Sequence, residues 1–327
     1  MFVLAGLLDP LELKELTLKN RIVMPPMQTS LATTGGAVTD NLIEHYVRRS
    51  SALGLLIVEH SYVSLDGRLS ERQLGIYDDD LLPGLEKLSS SVHGTGTPVV
   101  IQINHAGKTA SMEVTGIQPV SASPIGDARE LRVAEIEDLV QAFAMAAERA
   151  IRAGFDGVEV HGAHGFLLNQ FYSPLTNRRR DKYGSTLENR MRFPLEVVES
   201  VKKKVEGRLL LYRLGSVDLD PVGTRIEDSQ KFALKLEEAG VDIIDVSGGL
   251  CGSRPAPLQN IQGYFIPQAQ KIKEVVDIPV IGVGGITDPE YADKLIREGR
   301  VDLVAVGRGL LKDPDWAVKA IKILKTT

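Results

Sequence analysis

Eight short apolar runs recur along this chain, and they constrain its fold more than any other feature. They span residues 21–24, 55–59, 98–103, 156–161, 208–214, 241–247, 279–285 and 301–307. Most are nearly continuous in apolar character, whereas the strands of a half-exposed antiparallel sheet alternate apolar with polar residues. We therefore expect eight parallel strands that are buried on both faces.

Segments with helical periodicity separate these runs. Residues 134–154, 227–240 and 288–299 are examples, and each ends in glycine, a common residue just beyond the last turn of a helix. Eight strands alternating with eight helices over 327 residues predict a (β/α)8 TIM barrel, an α/β fold. A doubly wound open sheet is the alternative, disfavoured because no G-x-G-x-x-G motif follows the first strand. Since no linker-like segment divides the chain, residues 1–327 are predicted to form a single barrel domain.

Charge and cysteine content argue against several classes of function. The formal net charge is −5, and a mildly acidic chain has no field that attracts nucleic acid. The single cysteine, Cys251, excludes an intrachain disulfide and a cysteine-ligated metal cluster, and it fits a reducing cytoplasm. No apolar run approaches the ~20 residues that a bilayer requires, and the start MFVLAGLL lacks the basic region of a signal peptide. We expect a cytoplasmic protein that binds small molecules and has no nucleic-acid or membrane partner. The sequence does not decide the oligomeric state, and a homo-oligomer is one option.

Polar or conformationally special residues stand at the carboxyl ends of six predicted strands, where the loops of a barrel form the active face. In chain order these ends carry Pro25, Pro26, Met27 and Gln28; Glu59 and His60; Gln102, Asn104 and His105; His161; Arg213; and the turn 247–249. Glu59, His60 and His105 are as well suited to supporting a site as to contacting a ligand. Gln102 either contacts a ligand or bridges backbone groups, as buried amides often do.

The other two strands end in glycine-rich turns, GVGGIT at 282–287 and VGRG at 306–309. Backbone N–H groups in such turns can close on a phosphate, and this end of a barrel is a common phosphate site. Ordinary tight turns are the alternative. Two of them in adjacent final positions, with Arg308 beside one, favour a phosphate site formed by Gly284, Gly285, Gly307 and Arg308. A nucleotide cofactor and a phosphorylated substrate fit equally well.

Two histidines, His161 and His164, follow the fourth strand in the segment VEVHGAHGFLLNQF. A metal site is disfavoured because a third protein ligand is missing from the pattern. Packing alone is a second interpretation. Their position on the predicted active face favours a third, in which two imidazole N–H groups converge on a carbonyl oxygen and stabilise the negative charge that develops there.

Arg213 interrupts the otherwise apolar strand RLLLYRL. Burial of a guanidinium without an acceptor is costly, so we expect Arg213 to meet an anion or an electron-rich ring system. The alternative is an internal ion pair with Asp218 or Asp220.

Five segments together resemble the old yellow enzyme family of FMN-dependent ene-reductases. They are LTLKNRIVMPPMQ, LGIYDDDLLPGL, IQINHAGK, HGAHGFLLNQFYSPLTNRRRDKYGSTLENR and VGRGLL, and the resemblance spans nearly the whole chain. It implies a barrel, as the strand pattern does, and it implies that the phosphate belongs to FMN. It also implies NADH or NADPH as the diffusible electron donor, with ping-pong kinetics.

The resemblance further implies roles for individual residues. Pro25, Pro26, Met27, Gln28 and the backbone at His60 would lie along the flavin, Gln102 at its pyrimidine edge and Arg213 near N1 and C2, while Gly284, Gly285, Gly307 and Arg308 would hold the phosphate. His161 and His164 would hold a substrate carbonyl for hydride transfer to an enone, beside Ser30, Phe166 and Tyr264 in the substrate site.

Phe166 departs from the family pattern, because the residue after His164-Gly165 is usually a tyrosine that protonates the substrate. Loss of a general acid typically costs ~10²- to 10⁴-fold in rate. Flavin-dependent oxidation or demethylation, or reduction with water as the proton source, is therefore a second hypothesis. A barrel isomerase or aldolase and a non-catalytic flavin-binding partner are further alternatives.

Gln28 is a second departure, since relatives commonly place threonine or cysteine there.

Overall fold

The structure is a computed structural model that describes residues 5–326. The strands are β1 (Leu11–Leu13), β2 (Leu16–Leu18), β3 (Ile22–Met24), β4 (Leu55–Tyr62), β5 (Val99–Asn104), β6 (Val120–Ser121), β7 (Arg129–Glu130), β8 (Gly157–Gly162), β9 (Leu209–Gly215), β10 (Ile243–Ser247), β11 (Val280–Gly282) and β12 (Leu303–Ala305). The α-helices are α1 (Asp40–Ser50), α2 (Leu82–His93), α3 (Met112–Thr115), α4 (Val133–Arg152), α5 (Leu167–Tyr172), α6 (Leu187–Lys204), α7 (Ile226–Glu238), α8 (Ile266–Lys273), α9 (Pro289–Arg297), α10 (Arg308–Lys312) and α11 (Trp316–Thr326).

Eight of the strands close into a barrel in the order β3-β4-β5-β8-β9-β10-β11-β12. All neighbouring pairs are parallel, including β12 with β3, which closes the ring. At least one helix follows each barrel strand and returns the chain to the next one. The predicted (β/α)8 barrel is confirmed, and the open-sheet alternative is wrong.

The strand bounds agree with the apolar runs at their starts better than at their ends. The last two runs extend to residues 285 and 307 in the sequence, but β11 ends at Gly282 and β12 at Ala305. After β11 the chain leaves the sheet because Gly284 and Gly285 have positive φ angles of 134° and 65°, outside the extended backbone of a strand. The predicted helices 134–154, 227–240 and 288–299 correspond to α4, α7 and α9.

A two-stranded antiparallel hairpin, β1–β2, precedes the barrel. Its residues Leu13 and Leu18 are buried in the same apolar cluster as Leu55, Leu209 and the other inward-facing residues of the barrel. Lys14, in the turn of the hairpin, donates hydrogen bonds to the backbone oxygen of Arg208 and to the Asp242 carboxylate. The hairpin thus covers the amino-terminal end of the barrel, and the polar strand ends lie at the opposite end.

No helix between residues 5 and 326 combines the length and the apolar character needed to cross a membrane. The interpretation of the apolar start concerns residues 1–4 in part, and these lie outside the described residues. That residues 1–327 form a single domain stays a prediction.

Candidate active site

Four aromatic rings form a cluster at the carboxyl ends of β4 and β8. The ring of His161 lies 5.1 Å from that of His164 and 4.9 Å from that of Phe166, centroid to centroid. Phe166 in turn lies 5.4 Å from His60. The structure therefore brings together both predicted carbonyl-binding histidines, the residue that replaces the expected tyrosine, and His60.

The hydrogen-bonding pattern fixes the tautomer of His161. Its Nδ1 accepts a hydrogen bond from the backbone N–H of Ala163 at 3.3 Å, so the hydrogen of the neutral ring lies on Nε2. Burial, and then the neighbouring His164 and Arg213, lowers the pKa of His161 well below its ordinary value, so the ring is neutral near pH 7. His161 is thus a neutral N–H donor, and no cluster of metal-binding side chains is found among residues 5–326.

His164 occupies an unusual backbone position. Its φ is 59°, in the left-handed region that side chains other than glycine, asparagine and aspartate rarely adopt. The loop holds this conformation because the backbone N–H of His164 donates to Gly248 and that of Gly165 to the side chain of Asn169. The Nε2 of His164 lies 2.7 Å from the hydroxyl of Ser247 at the end of β10. A strained backbone that is held in place by these hydrogen bonds indicates that the orientation of the His164 ring is important for the site.

Below these rings, a charged cluster lies inside the barrel. Gln102 Nε2 donates to Glu159 Oε1 at 2.7 Å, and Arg213 Nη1 lies 3.5 Å from Asp245 Oδ2. Arg213 is paired in register with Asp245 on one side and with His161 on the other. The strand pairing therefore links the cluster directly to the histidine pair.

The partner of Arg213 is not one of the carboxylates considered from the sequence. Asp218 accepts hydrogen bonds from the Ser173 hydroxyl and the Thr224 backbone N–H, in a loop beyond β9. The alternative of an ion pair with Asp218 or Asp220 is wrong, because Asp245 on the adjacent strand is the carboxylate within reach.

The charged cluster retains unused hydrogen-bonding capacity. Arg213 Nε, Glu159 Oε2 and both Asp245 oxygens are enclosed without a hydrogen-bond partner. Burial raises the pKa of Glu159 and of Asp245, so the pair favours protonated forms over two adjacent negative charges. A buried guanidinium with a free N–H fits the electron-rich ring of a flavin.

The glycine turns after β11 and β12 form one wall of a cavity at the same end. A Cβ on Gly285 would lie 3.0 Å from Arg308 Nη2, and a Cβ on Gly307 would lie 2.9 Å from the sulfur of Met27. The cavity lining includes both glycines, Arg308, Arg213 and Pro25. The Arg308 guanidinium and the exposed backbone of the glycine turns can both donate hydrogen bonds to a phosphate. The cavity therefore has suitable donors for the phosphate and the ring of FMN.

Tyr264 lines the same cavity as the two glycine turns. Its hydroxyl donates to the Ser253 backbone oxygen at 2.7 Å and accepts from Arg308 Nη2 at 3.2 Å. The Tyr264 hydroxyl therefore orients Arg308. Its predicted contact with substrate stays a prediction.

The segment after β3 places its residues in two environments. Pro25 and Pro26 are buried, whereas Gln28 and Ser30 are exposed. Gln28 donates to the Ser70 hydroxyl at 2.6 Å, and Ser30 has a φ of 57°. The contacts of these residues with flavin or substrate stay predictions.

Glu59, at the end of β4, is fully buried. One carboxylate oxygen accepts from the Thr29 backbone N–H at 2.6 Å, and the other has no partner. Burial raises the pKa of Glu59 to about 7.

Four polar residues of this region did not emerge from the sequence: Gln73, Glu159, Ser247 as the partner of His164, and Asp245. Glu159 and Asp245 offered a signal, because each is an acidic residue within an apolar strand run. Gln73 offered none, since it lies in the long loop after β4.

Residues 6–327 match the model of the NADH:flavin oxidoreductase / NADH oxidase family. The chain is 45% identical to the NADH oxidase of Thermoanaerobacter brockii over 88% of its own length, and it spans 46% of that protein. It is 41% identical to the NADPH dehydrogenase of Geobacillus sp. (strain WCH70), covering 98% of this chain and 95% of that one.

A solved structure of the old yellow enzyme homologue from Zymomonas mobilis superposes with a TM-score of 0.86 at 27% identity, covering 98% of this chain and 93% of that one. The family model and both curated relatives support the implied flavin and nicotinamide cofactors. The chain belongs to the NADH:flavin oxidoreductase / NADH oxidase family, the old yellow enzyme family of FMN-dependent oxidoreductases.

Proposed function

We propose that this protein is an NAD(P)H-dependent oxidoreductase that reduces the C=C bond of an activated alkene, an enone or related α,β-unsaturated carbonyl. The observation that carries the proposal is the pair of neighbouring imidazoles, His161 and His164. His164 contacts Ser247, which lines the same cavity as Arg213 and Arg308. FMN, when bound, supplies the hydride after reduction by NADH or NADPH.

The residues of the chain divide the remaining work. The Nε2–H of His161 and the ring of His164 hold the carbonyl oxygen of the substrate and stabilise the negative charge that builds up there. Arg213 provides a fixed positive charge beneath the ring site, and Gln102, oriented by Glu159, offers its amide to the same region. Gly284, Gly285, Gly307 and Arg308 hold the phosphate.

Phe166 supports a variant of this function in which the proton comes from water. A phenyl ring has no proton to give, and Phe166, which packs on both His60 and His161, stands where the family resemblance implies a proton-donating tyrosine. The same observation keeps oxidation or demethylation of a substrate as the second candidate function.

The FMN-loaded protein tests the proposal. Oxidation of NADPH or NADH is followed without oxygen in the presence of 2-cyclohexenone, and cyclohexanone is measured as the product. We expect His161→Ala to lower kcat/KM by ~10²-fold, the usual cost of one donor to a developing oxyanion, while the FMN content is unchanged.

His93→Ala is the matched control, because His93 pairs with Asp156 at the opposite end of the barrel. It should leave kcat/KM unaltered. Absence of saturated product from every enone tried would refute the proposal, and so would an equal loss of activity in the His93 variant.

A further inference from the structure

His60 belongs to the cluster of four site rings, but its side chain has no role in the function proposed above. It stands near the carboxyl end of β4, where its ring contacts that of Phe166. Its ring is 6.3 Å from that of His161, and the residue is 7% exposed. A side chain so placed can reach a molecule that contacts His161.

Gln73 fixes the tautomer of His60. The Oε1 of Gln73 accepts from the Leu69 backbone N–H at 2.7 Å, so the amide is oriented with its nitrogen toward His60. That Nε2 donates to His60 Nδ1 at 2.8 Å and to the His60 backbone oxygen at 3.1 Å. Because Nδ1 accepts, the hydrogen of the neutral imidazole lies on Nε2.

The Nε2–H of His60 is left available for a ligand. Across residues 5–326 it makes no hydrogen bond to the protein, and it is not among the fully enclosed polar atoms that lack one. Burial, and then the charge of Arg213, lowers the pKa of His60 to about 4. Near pH 7 the ring is therefore a neutral donor, suited to a carbonyl oxygen.

We propose that His60 is a third substrate-facing hydrogen-bond donor, which makes the site selective for alkenes that carry an acceptor at each end of the C=C bond. The chemical class is that of 1,4-enediones and maleimides. The histidine pair binds one carbonyl oxygen and His60 binds the other, while the apolar ring of Phe166, which contacts both His60 and His161, packs against the carbon skeleton. The substrate class rests on the proposed function, but the pairing of donors does not.

Binding to the oxidised, FMN-loaded protein tests this without turnover. The dissociation constants of cyclohexane-1,4-dione and cyclohexanone are measured from the change in flavin absorbance. These two saturated ligands share a ring and differ in one carbonyl group. In the wild type the dione should bind about tenfold more tightly, the effect of one added hydrogen bond.

Variants assign that preference to His60. His60→Phe keeps a ring of similar size and should bind both ligands equally, whereas His60→Gln keeps an N–H donor and should retain part of the preference. Gln73→Leu removes the hydrogen bond that fixes the tautomer of His60. It should weaken the preference for the dione while the imidazole ring itself is unchanged. His93→Phe is the remote control and should behave as the wild type does.

Several results would overturn the inference. Equal binding of the two ligands by the wild type is one, and an unchanged preference in His60→Phe is another. A loss of FMN affinity in His60→Phe that matches the loss of dione affinity would mean that the donor faces the cofactor. Should His60→Phe fail to fold, the Gln73→Leu result decides. A protein that reduces no alkene but prefers the dione would refute the proposed function and leave the third donor intact.

Discussion

Replacement of Glu59 by glutamine tests the electrostatic character of the site through stability. Glu59 is fully buried, and only one of its carboxylate oxygens has a hydrogen-bond partner. Glu59→Gln keeps an oxygen that can accept from the Thr29 N–H, but removes the ionisable group. The substitution therefore isolates the effect of charge at nearly constant shape.

The size of the effect follows from the pKa. Burial raises the pKa of Glu59 from 4.5 to about 7. The unfolded chain thus releases this proton near pH 4.5, whereas the folded protein retains it until about pH 7. The contribution of Glu59 to stability is full below pH 4.5 and is lost as the pH rises to 7. A difference of about 2.5 in pKa, at 1.36 kcal/mol for each, corresponds to about 3 kcal/mol.

Urea unfolding of the FMN-free protein measures this quantity. The free energy of unfolding is determined for wild type and variant between pH 4.5 and 8, with the fluorescence of Trp316, the only tryptophan, as the probe. The variant should gain about 3 kcal/mol relative to the wild type between the ends of this range. Glu159 and Asp245 titrate in both proteins, so their contributions cancel in the difference.

A difference between variant and wild type that stays constant with pH would refute the reasoning. It would mean that Glu59 is already ionised in the folded protein at pH 5, and that Thr29 and water stabilise its charge as fully as bulk solvent does. A difference that falls with rising pH would show that Glu59 is stabilised as an anion, the opposite of the effect expected from burial.

Three further predictions concern the reaction and the cofactor. Phe166→Tyr should accelerate reduction of 2-cyclohexenone by at least ~10-fold because it supplies a proton donor; a rate measured by stopped flow that does not rise would show that water already protonates the substrate without limiting turnover. Gly285→Ala, with a φ of 65° and a Cβ close to Arg308, should weaken FMN binding about tenfold, as read from flavin fluorescence. Gly299→Ala has a similar φ of 67° with no atom within 4 Å of the new Cβ, and it should bind FMN as the wild type does. Arg213→Met should lower the flavin reduction potential by about 30–60 mV, because a fixed positive charge beside the reduced ring is lost. This shift is equivalent to about 1.4–2.8 kcal/mol for two electrons. An unchanged potential in a spectroelectrochemical titration would argue against a contact between Arg213 and the flavin.

The barrel was predictable because burial on both faces leaves a continuous signal in each strand. The hairpin β1–β2 was not predicted, although its segment LELKELTL alternates apolar with polar residues, because each strand has only three residues. Its stability comes from packing on the barrel, a long-range contact that no local pattern encodes. The ends of β11 and β12 were placed too late because apolar residues continue into turns whose course is set by glycine.

Individual site residues were easier to identify than their partners. His161, Arg213 and Gln102 stand out because each is a polar residue at or near the end of an apolar strand. The pairing of Arg213 with Asp245 depends on the register between neighbouring strands, which a single strand's sequence does not reveal. Likewise, the orientation of His60 depends on Gln73, which lies 13 residues away in an irregular loop. Contacts that depend on strand register or on the path of a loop could therefore not be predicted from the sequence.

The hairpin at the amino-terminal end of the barrel has a kinetic consequence. Leu13 and Leu18 close that end, and Lys14 fastens the turn to Arg208 and Asp242. Among residues 5–326 these contacts cover the amino-terminal end, so ligands should reach the site from the opposite end, where the histidine rings lie. In the function proposed here, nicotinamide and alkene would bind in turn at this end of the barrel, so an excess of either should reduce binding of the other. This would appear in steady-state kinetics as mutual competitive inhibition at high concentrations of nicotinamide or alkene.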